Sequence, residues 1–167
     1  MSEEKTIVNL KISTKDLALT ITFAALYATL VYINIPLSYA AFQFRIAGVL
    51  RPAIGKKWVL TFGYAIGVVA ANVFSPFGAW DLIFMPAASF LAGLAGYVVA
   101  KKFGGNYFIT GAVIALIISV CVSWMLSQTQ GVPMIATLPY LLIAEQVVCL
   151  IGALVFKAID MRFNWWK

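Results

Sequence analysis

Six apolar runs follow one another along this chain, and their succession constrains its fold more than any other feature. They lie at about 17–35, 41–54, 58–73, 82–100, 107–126 and 139–156. A helix needs about 20 residues, rising ~1.5 Å each, to cross the ~30 Å hydrocarbon core of a bilayer. Most of the runs approach that length, and a chain of 167 residues leaves no room beside them for a soluble domain. Charged residues make up only 11%, whereas a soluble protein carries about a quarter. That excludes a soluble domain, a disordered chain and a disulfide scaffold. The sequence predicts an all-α integral membrane protein with six transmembrane helices. Residues 1–167 form a single transmembrane domain, in which 1–15 are a polar cytoplasmic tail.

Charge placement gives the orientation. Of twelve Lys and Arg, eleven fall at one set of ends. Lys5, Lys11 and Lys15 are in the N-terminal tail. Arg51, Lys56, Lys57, Lys101 and Lys102 mark two short basic turns, and Lys157, Arg162 and Lys167 lie at the C-terminus. Basic loops stay inside, so both termini and the basic turns are expected in the cytoplasm. The connections 36–43, 74–81 and 127–138 then face outward. The net charge of +6 reflects those loops, and no nucleic-acid partner is expected. The polar start and the long first run argue against a cleavable signal peptide.

Local signals add detail. Ser13 and Asp16 have capping-box spacing, and Asn106 is placed to cap the fifth run. Pro86 predicts a kink in the fourth run, and Pro139 lies near the first turn of the sixth. The second run is short enough to be tilted or partly re-entrant. Trp165 and Trp166 beside Lys167 read as an interfacial anchor.

Three ionisable groups are out of place. Arg45, Asp81 and Glu145 lie at or inside the outer boundary of the membrane, where charge is costly and turns toward a cavity or a partner. Asp81 precedes Leu82, as a helix cap or as a ligand group. Arg45 either reaches headgroups or turns inward. Glu145, about two turns below the surface, belongs to a pocket or to an ion pair, with Arg45 as the expected partner. The amides and hydroxyl of Gln43, Asn72, Ser75, Gln128, Gln130 and Gln146 share that level. So do the aromatics Phe42, Phe44, Phe74, Phe77, Trp80, Trp124 and Tyr140. Such a set suits a planar polar heterocycle; it also suits plain loop polarity with an aromatic belt.

Other chemistry is missing. The chain has no histidine, and Cys121 and Cys149 sit mid-run as packing residues. No metal site, cofactor or histidine-based triad is expected. Small residues recur every fourth position at Thr20, Ala24 and Ala28, and again at Ala88, Ala92, Gly96 and Ala100. Such rows let helices approach closely. The second row reads as internal packing, whereas the first could equally face a partner protein.

Two stretches carry a resemblance. One is Phe42-Gln43-Phe44-Arg45-Ile46-Ala47; the other runs from Ala71-Asn72-Val73-Phe74-Ser75-Pro76 through Phe77-Gly78-Ala79-Trp80-Asp81 to Phe84. Both resemble the QueT family, substrate-binding S components of energy-coupling factor (ECF) ABC transporters linked to queuosine-precursor uptake. The resemblance implies an S-component-like bundle with an outward-facing pocket for a small-molecule substrate of the 7-deazaguanine type. It further implies docking on a transmembrane coupling protein that sits on two cytoplasmic ABC ATPases. The chain itself would then not be an enzyme, and it has no Gly-rich phosphate loop. By the same resemblance Gln43, Phe44, Arg45, Asn72, Trp80, Asp81 and Glu145 are the substrate-binding candidates, and Ala24 and Ala28 match the docking row. One position departs. The family continues as F-R-I-x-E-A-L, and this chain has Gly48 in place of the glutamate. The substrate is thus either a deazaguanine or another planar heterocycle. The competing readings are a small oligomeric channel, a transporter unrelated to ECF systems, and a membrane enzyme working through Asp81 and Glu145.

Overall fold

The computed structural model describes residues 12–35 and 45–166. Five α-helices account for most of them: α1 (Thr14–Ile33), α2 (Leu60–Ala71), α3 (Met85–Lys101), α4 (Tyr107–Gln130) and α5 (Met134–Asp160). A 3-10 helix, Ile46–Gly55, lies between α1 and α2, and a π-helical turn, Trp80–Phe84, leads into α3. No strand occurs among the described residues. Four helices are long and apolar enough to cross a membrane: Thr14–Ile33, Trp80–Lys101, Tyr107–Gln130 and Met134–Asp160. The second and third runs form shorter helices, Ile46–Gly55 and Leu60–Ala71.

The capping signals do what their spacing predicts. The Ser13 hydroxyl accepts from Asp16 N at 3.1 Å while Ser13 N donates to the Asp16 carboxylate at 3.0 Å. Asn106 Oδ1 accepts from Phe108 N at 2.9 Å, opening α4. The expected outer loop 127–138 is corrected to three residues. Ser127 and Thr129 donate to the carbonyls of Trp124 and Met125, so the helix continues beyond its apolar run. It stops at Gly131, whose φ of +68° is a left-handed conformation open mainly to glycine. Because α5 starts at Met134, Pro139 lies inside it rather than at its start. Pro86 also acts differently from expectation. It has no N–H for the Leu82 carbonyl, and the widened π turn lies immediately upstream of it.

These helices are apolar on every side, so small residues and hydroxyls mark the inner faces rather than hydrophobicity. A Cβ on Gly67 would fall 2.9 Å from Tyr27 Cβ and 3.1 Å from the Ala24 carbonyl oxygen. On Gly63 it would meet the Thr20 carbonyl at 2.6 Å. Helices α1 and α2 therefore touch backbone to backbone. The same holds where α5 crosses the 3-10 helix: a Cβ on Gly152 would lie 2.0 Å from the Val49 carbonyl oxygen. The 3-10 helix is wedged among α1, α3, α4 and α5. Around it lies a core that includes Tyr27, Tyr64, Val68, Ile114, Ile118 and Leu141. The large apolar side chains left outside, such as Ile135, Ile143, Leu150 and Leu154, suit lipid.

The basic turn ties the bundle's ends together. Lys57 Nζ lies 2.5 Å from the Asp16 carboxylate, and Lys56 Nζ lies 4.0 Å from Asp160 while donating to the Gly104 carbonyl at 3.2 Å. Trp165 and Trp166 fold back onto the protein, donating from their indole N–H groups to the Tyr107 hydroxyl and to Asp160.

Candidate functional site

The 3-10 helix sets the geometry of the site. With three residues per turn, positions three apart share a face. Arg45, Gly48, Arg51 and Ile54 are all buried, whereas Ile46 is exposed and Val49 half-exposed. On an α-helix Arg45 and Arg51 would diverge by about 240°; here they fall in line, about 12 Å apart. Two guanidiniums thus enter the core from one ridge, and each meets a carboxylate.

The outer pair is Arg45 with Asp81, Nη2 to Oδ2 at 3.5 Å, with both side chains buried. The π turn carries Asp81 into the interior, where it is fully buried. Ser75 donates to the same Oδ2 at 2.5 Å, and Asn72 Nδ2 donates to the Asp81 carbonyl at 2.9 Å. The Ser75 hydroxyl is itself fixed by Phe77 N at 3.1 Å. Asn72 thus shapes the turn while Ser75 and Arg45 hold one carboxylate oxygen. The other, Oδ1, is buried and has no hydrogen-bond partner among the described residues. A carboxylate oxygen held out of water without a donor is costly, and an arriving N–H or O–H group relieves that cost.

The inner pair is Arg51 with Glu145. Both guanidinium Nη atoms donate to the carboxylate, one to each oxygen. Arg51 Nη2 also reaches the Tyr27 hydroxyl at 3.4 Å, and its Cζ stands 5.4 Å from the Tyr64 ring centre. The two tyrosine rings meet edge to face at 5.2 Å. This corrects two expectations. Glu145 pairs with Arg51, not with Arg45. Arg51 is not part of a basic turn but is 1% exposed, because each residue of a 3-10 helix rises ~2 Å and Arg51 lies five residues inside Lys56. That depth and its threefold register with Arg45 mark it only once the segment is known to be a 3-10 helix. Tyr27 and Tyr64 carry no such signal.

Gly48 lies between the arginines. A Cβ there would stand 3.1 Å from Arg51 Nη1 and 3.0 Å from a Val148 methyl. A longer side chain would push the guanidinium off Glu145. The glycine and the arginine are therefore a matched pair: the lack of a side chain at position 48 leaves room for the guanidinium to reach Glu145.

The family model described as QueT transporter matches residues 17–161. The chain belongs to the QueT transporter family. No curated protein and no solved structure matches it. Family and spanning helices together make this a multi-pass protein of the cell membrane.

Against that family background the remaining candidates divide. Gln43 and Phe44 lie outside the described residues. Trp80 is 38% exposed and turns to its aromatic neighbours, Trp124 at 5.4 Å and Phe84 at 5.8 Å between ring centres. Gln146 departs from the polar cluster altogether, donating to the Ala112 carbonyl on the outside of the α4–α5 pair. On α1, Ala24 is buried against Gly67 and Ala28 is half-buried. Ala18, Thr22, Ala25 and Thr29 form an exposed line of small residues on the other side of the helix.

Proposed function

We propose that this chain is the substrate-binding S component of an ECF-type importer and takes up a queuosine precursor of the 7-deazaguanine type. In this reading residues 1–167 act as one transmembrane domain that crosses the membrane six times, with both termini in the cytoplasm. The two shorter apolar helices, Ile46–Gly55 and Leu60–Ala71, are the elements assigned to the remaining two crossings. The basic turns lie together at the end held by Lys56 and Lys57, in keeping with the positive-inside rule.

One observation carries the substrate assignment: Asp81 Oδ1, buried and unpartnered among the described residues, stands beside the long 3.5 Å contact to Arg45. A heterocycle edge with an N–H next to a carbonyl would complement the two groups by bridging both. Its N–H donates to Asp81 and its carbonyl accepts from Arg45. A 7-deazaguanine lactam presents such an edge. Glu145, with both oxygens held by Arg51, supports the site from below instead of meeting the ligand. Gln43 and Phe44 stay ligand candidates on the family resemblance alone, and Asn72 and Ser75 hold Asp81 in place.

ATP hydrolysis belongs to two cytoplasmic ABC ATPases, reached through a transmembrane coupling protein that docks on α1. The deciding experiment is calorimetric titration of the purified protein with 7-deazaguanine bases, guanine and common vitamins, with parallel pull-down of ATPase subunits. Tight binding of a deazaguanine together with ATPase recovery is the expected result. Binding of an unrelated vitamin would replace the substrate, and a protein recovered without any ATPase would overturn the importer assignment.

A further inference from the structure

Glu145 and Gln146 are neighbours on α5, about 100° apart around the helix, and the fold sends them opposite ways. Glu145 enters the core. Gln146 lies over the groove between α4 and α5, in a cavity of about 320 Å³ lined by Phe108, Ala112, Val147 and Leu150. It is eleven residues from Lys157 and twelve from Met134, hence about 16–18 Å along the helix from either end. That depth is hydrocarbon.

An amide there has three hydrogen-bonding demands to meet: two N–H groups and a carbonyl. One N–H is used, Nε2 to the Ala112 carbonyl at 3.1 Å. The second N–H and Oε1 have no partner among the described residues. Lipid cannot complete the set. Acyl chains have no polar atoms, and phospholipid esters only accept and lie at the membrane boundary. The missing partner must offer both a donor and an acceptor at mid-membrane, which is what the unused half of a glutamine amide itself offers.

We propose that Gln146 is the centre of a self-association surface on which a second copy of this chain binds within the membrane. All copies share one orientation, so the two-fold axis runs along the membrane normal, and the contact is isologous. Each Gln146 donates its free N–H to the Oε1 of the other. The four helices around the axis, α4 and α5 of each copy, close the groove. The exposed side chains of Ile143, Val147, Leu150 and Leu154 pack across it in place of lipid. Small residues such as Ala112 permit the close approach that membrane helix pairs need. Helix α1 takes no part, so this surface is separate from the docking proposed above.

The test uses the full chain, fluorescently labelled at its N-terminus and reconstituted into liposomes over a dilution series of protein to lipid. Energy transfer reports association. Wild type should form dimers saturably, and Gln146→Leu should lower the association constant by about tenfold, the scale expected for membrane hydrogen bonds. Val147→Trp adds bulk on the exposed side of the groove, should leave unfolding unchanged, and should weaken dimers as well. Wild type that stays monomeric at every dilution would overturn the proposal. So would dimers indifferent to both substitutions, or crosslinking of this face in cell membranes to another protein and never to itself.

Discussion

A guanidinium withdrawn from water needs its charge answered inside the protein, and for Arg51 the answer is Glu145. Breaking a buried pair by removing one partner costs about 3–5 kcal/mol, whereas replacing both by apolar groups is often neutral. Glu145→Leu alone should therefore lower stability by about that amount, and Arg51→Met combined with Glu145→Leu should recover most of the loss. Unfolding of the wild type and the two variants in detergent checks this, and a double variant no better than the single one would show that the pair does not act as a unit. Asp81 differs, since one of its oxygens is unpartnered among the described residues. Asp81→Asn should weaken substrate binding about 10- to 100-fold, the loss of a charge-assisted hydrogen bond worth about 1.5–3 kcal/mol. Titration calorimetry reads it, and affinity within twofold of wild type would remove Asp81 from the ligand contacts. The sequence marks Asp81, Arg45 and Glu145 as out of place, because charge in an apolar setting is conspicuous. It does not mark how they pair. Arg51 looks like any arginine near a basic turn until the 3-10 register places it within the membrane.

Among the elements, the 3-10 helix matters most because both arginines are carried by it, and a glycine on another helix sets its position. A Cβ on Gly152 would collide with the Val49 carbonyl. Gly152→Ala should cost about 1–3 kcal/mol, as overpacking does, and should also reduce affinity by shifting Arg45 and Arg51 together. Comparing unfolding with binding for this variant separates it from a plain packing defect, which would leave the folded fraction with normal affinity. The elements were legible to different degrees. Apolar runs marked where the helices lie but not their type or length, since the second is a 3-10 helix and only four are long enough to span. The caps at Ser13 and Asn106 marked two starts to the residue. The end of α4 was not legible, because Ser127 and Thr129 read as loop residues yet satisfy the helix's own carbonyls. Nor was the π turn, in which Pro86 acts on the turn before it. Both effects depend on where a hydrogen bond goes rather than on which residue is apolar.

For the molecule as a whole, the proposed importer function requires binding to be coupled to a partner, and in that proposal α1 is the docking helix. Its row Thr20, Ala24 and Ala28 promised a docking face, but close approach to Gly63 and Gly67 takes up Thr20 and Ala24. The line Ala18, Thr22, Ala25 and Thr29 lies exposed on the same helix, its small side chains suited to a close helix contact. Ala24→Leu should therefore lower thermal stability, since its side chain would enter the α1–α2 contact. Ala25→Leu should leave stability and substrate affinity unchanged, because it points away from the bundle, while abolishing uptake in cells that contain the coupling protein and ATPases. Ala28, half-buried, should fall between them. Uptake, calorimetry and unfolding on the three variants distinguish the outcomes. Full uptake by Ala25→Leu would move the docking face off α1, and lost uptake with lost affinity would mean that the substitution acts through the fold rather than through the partner.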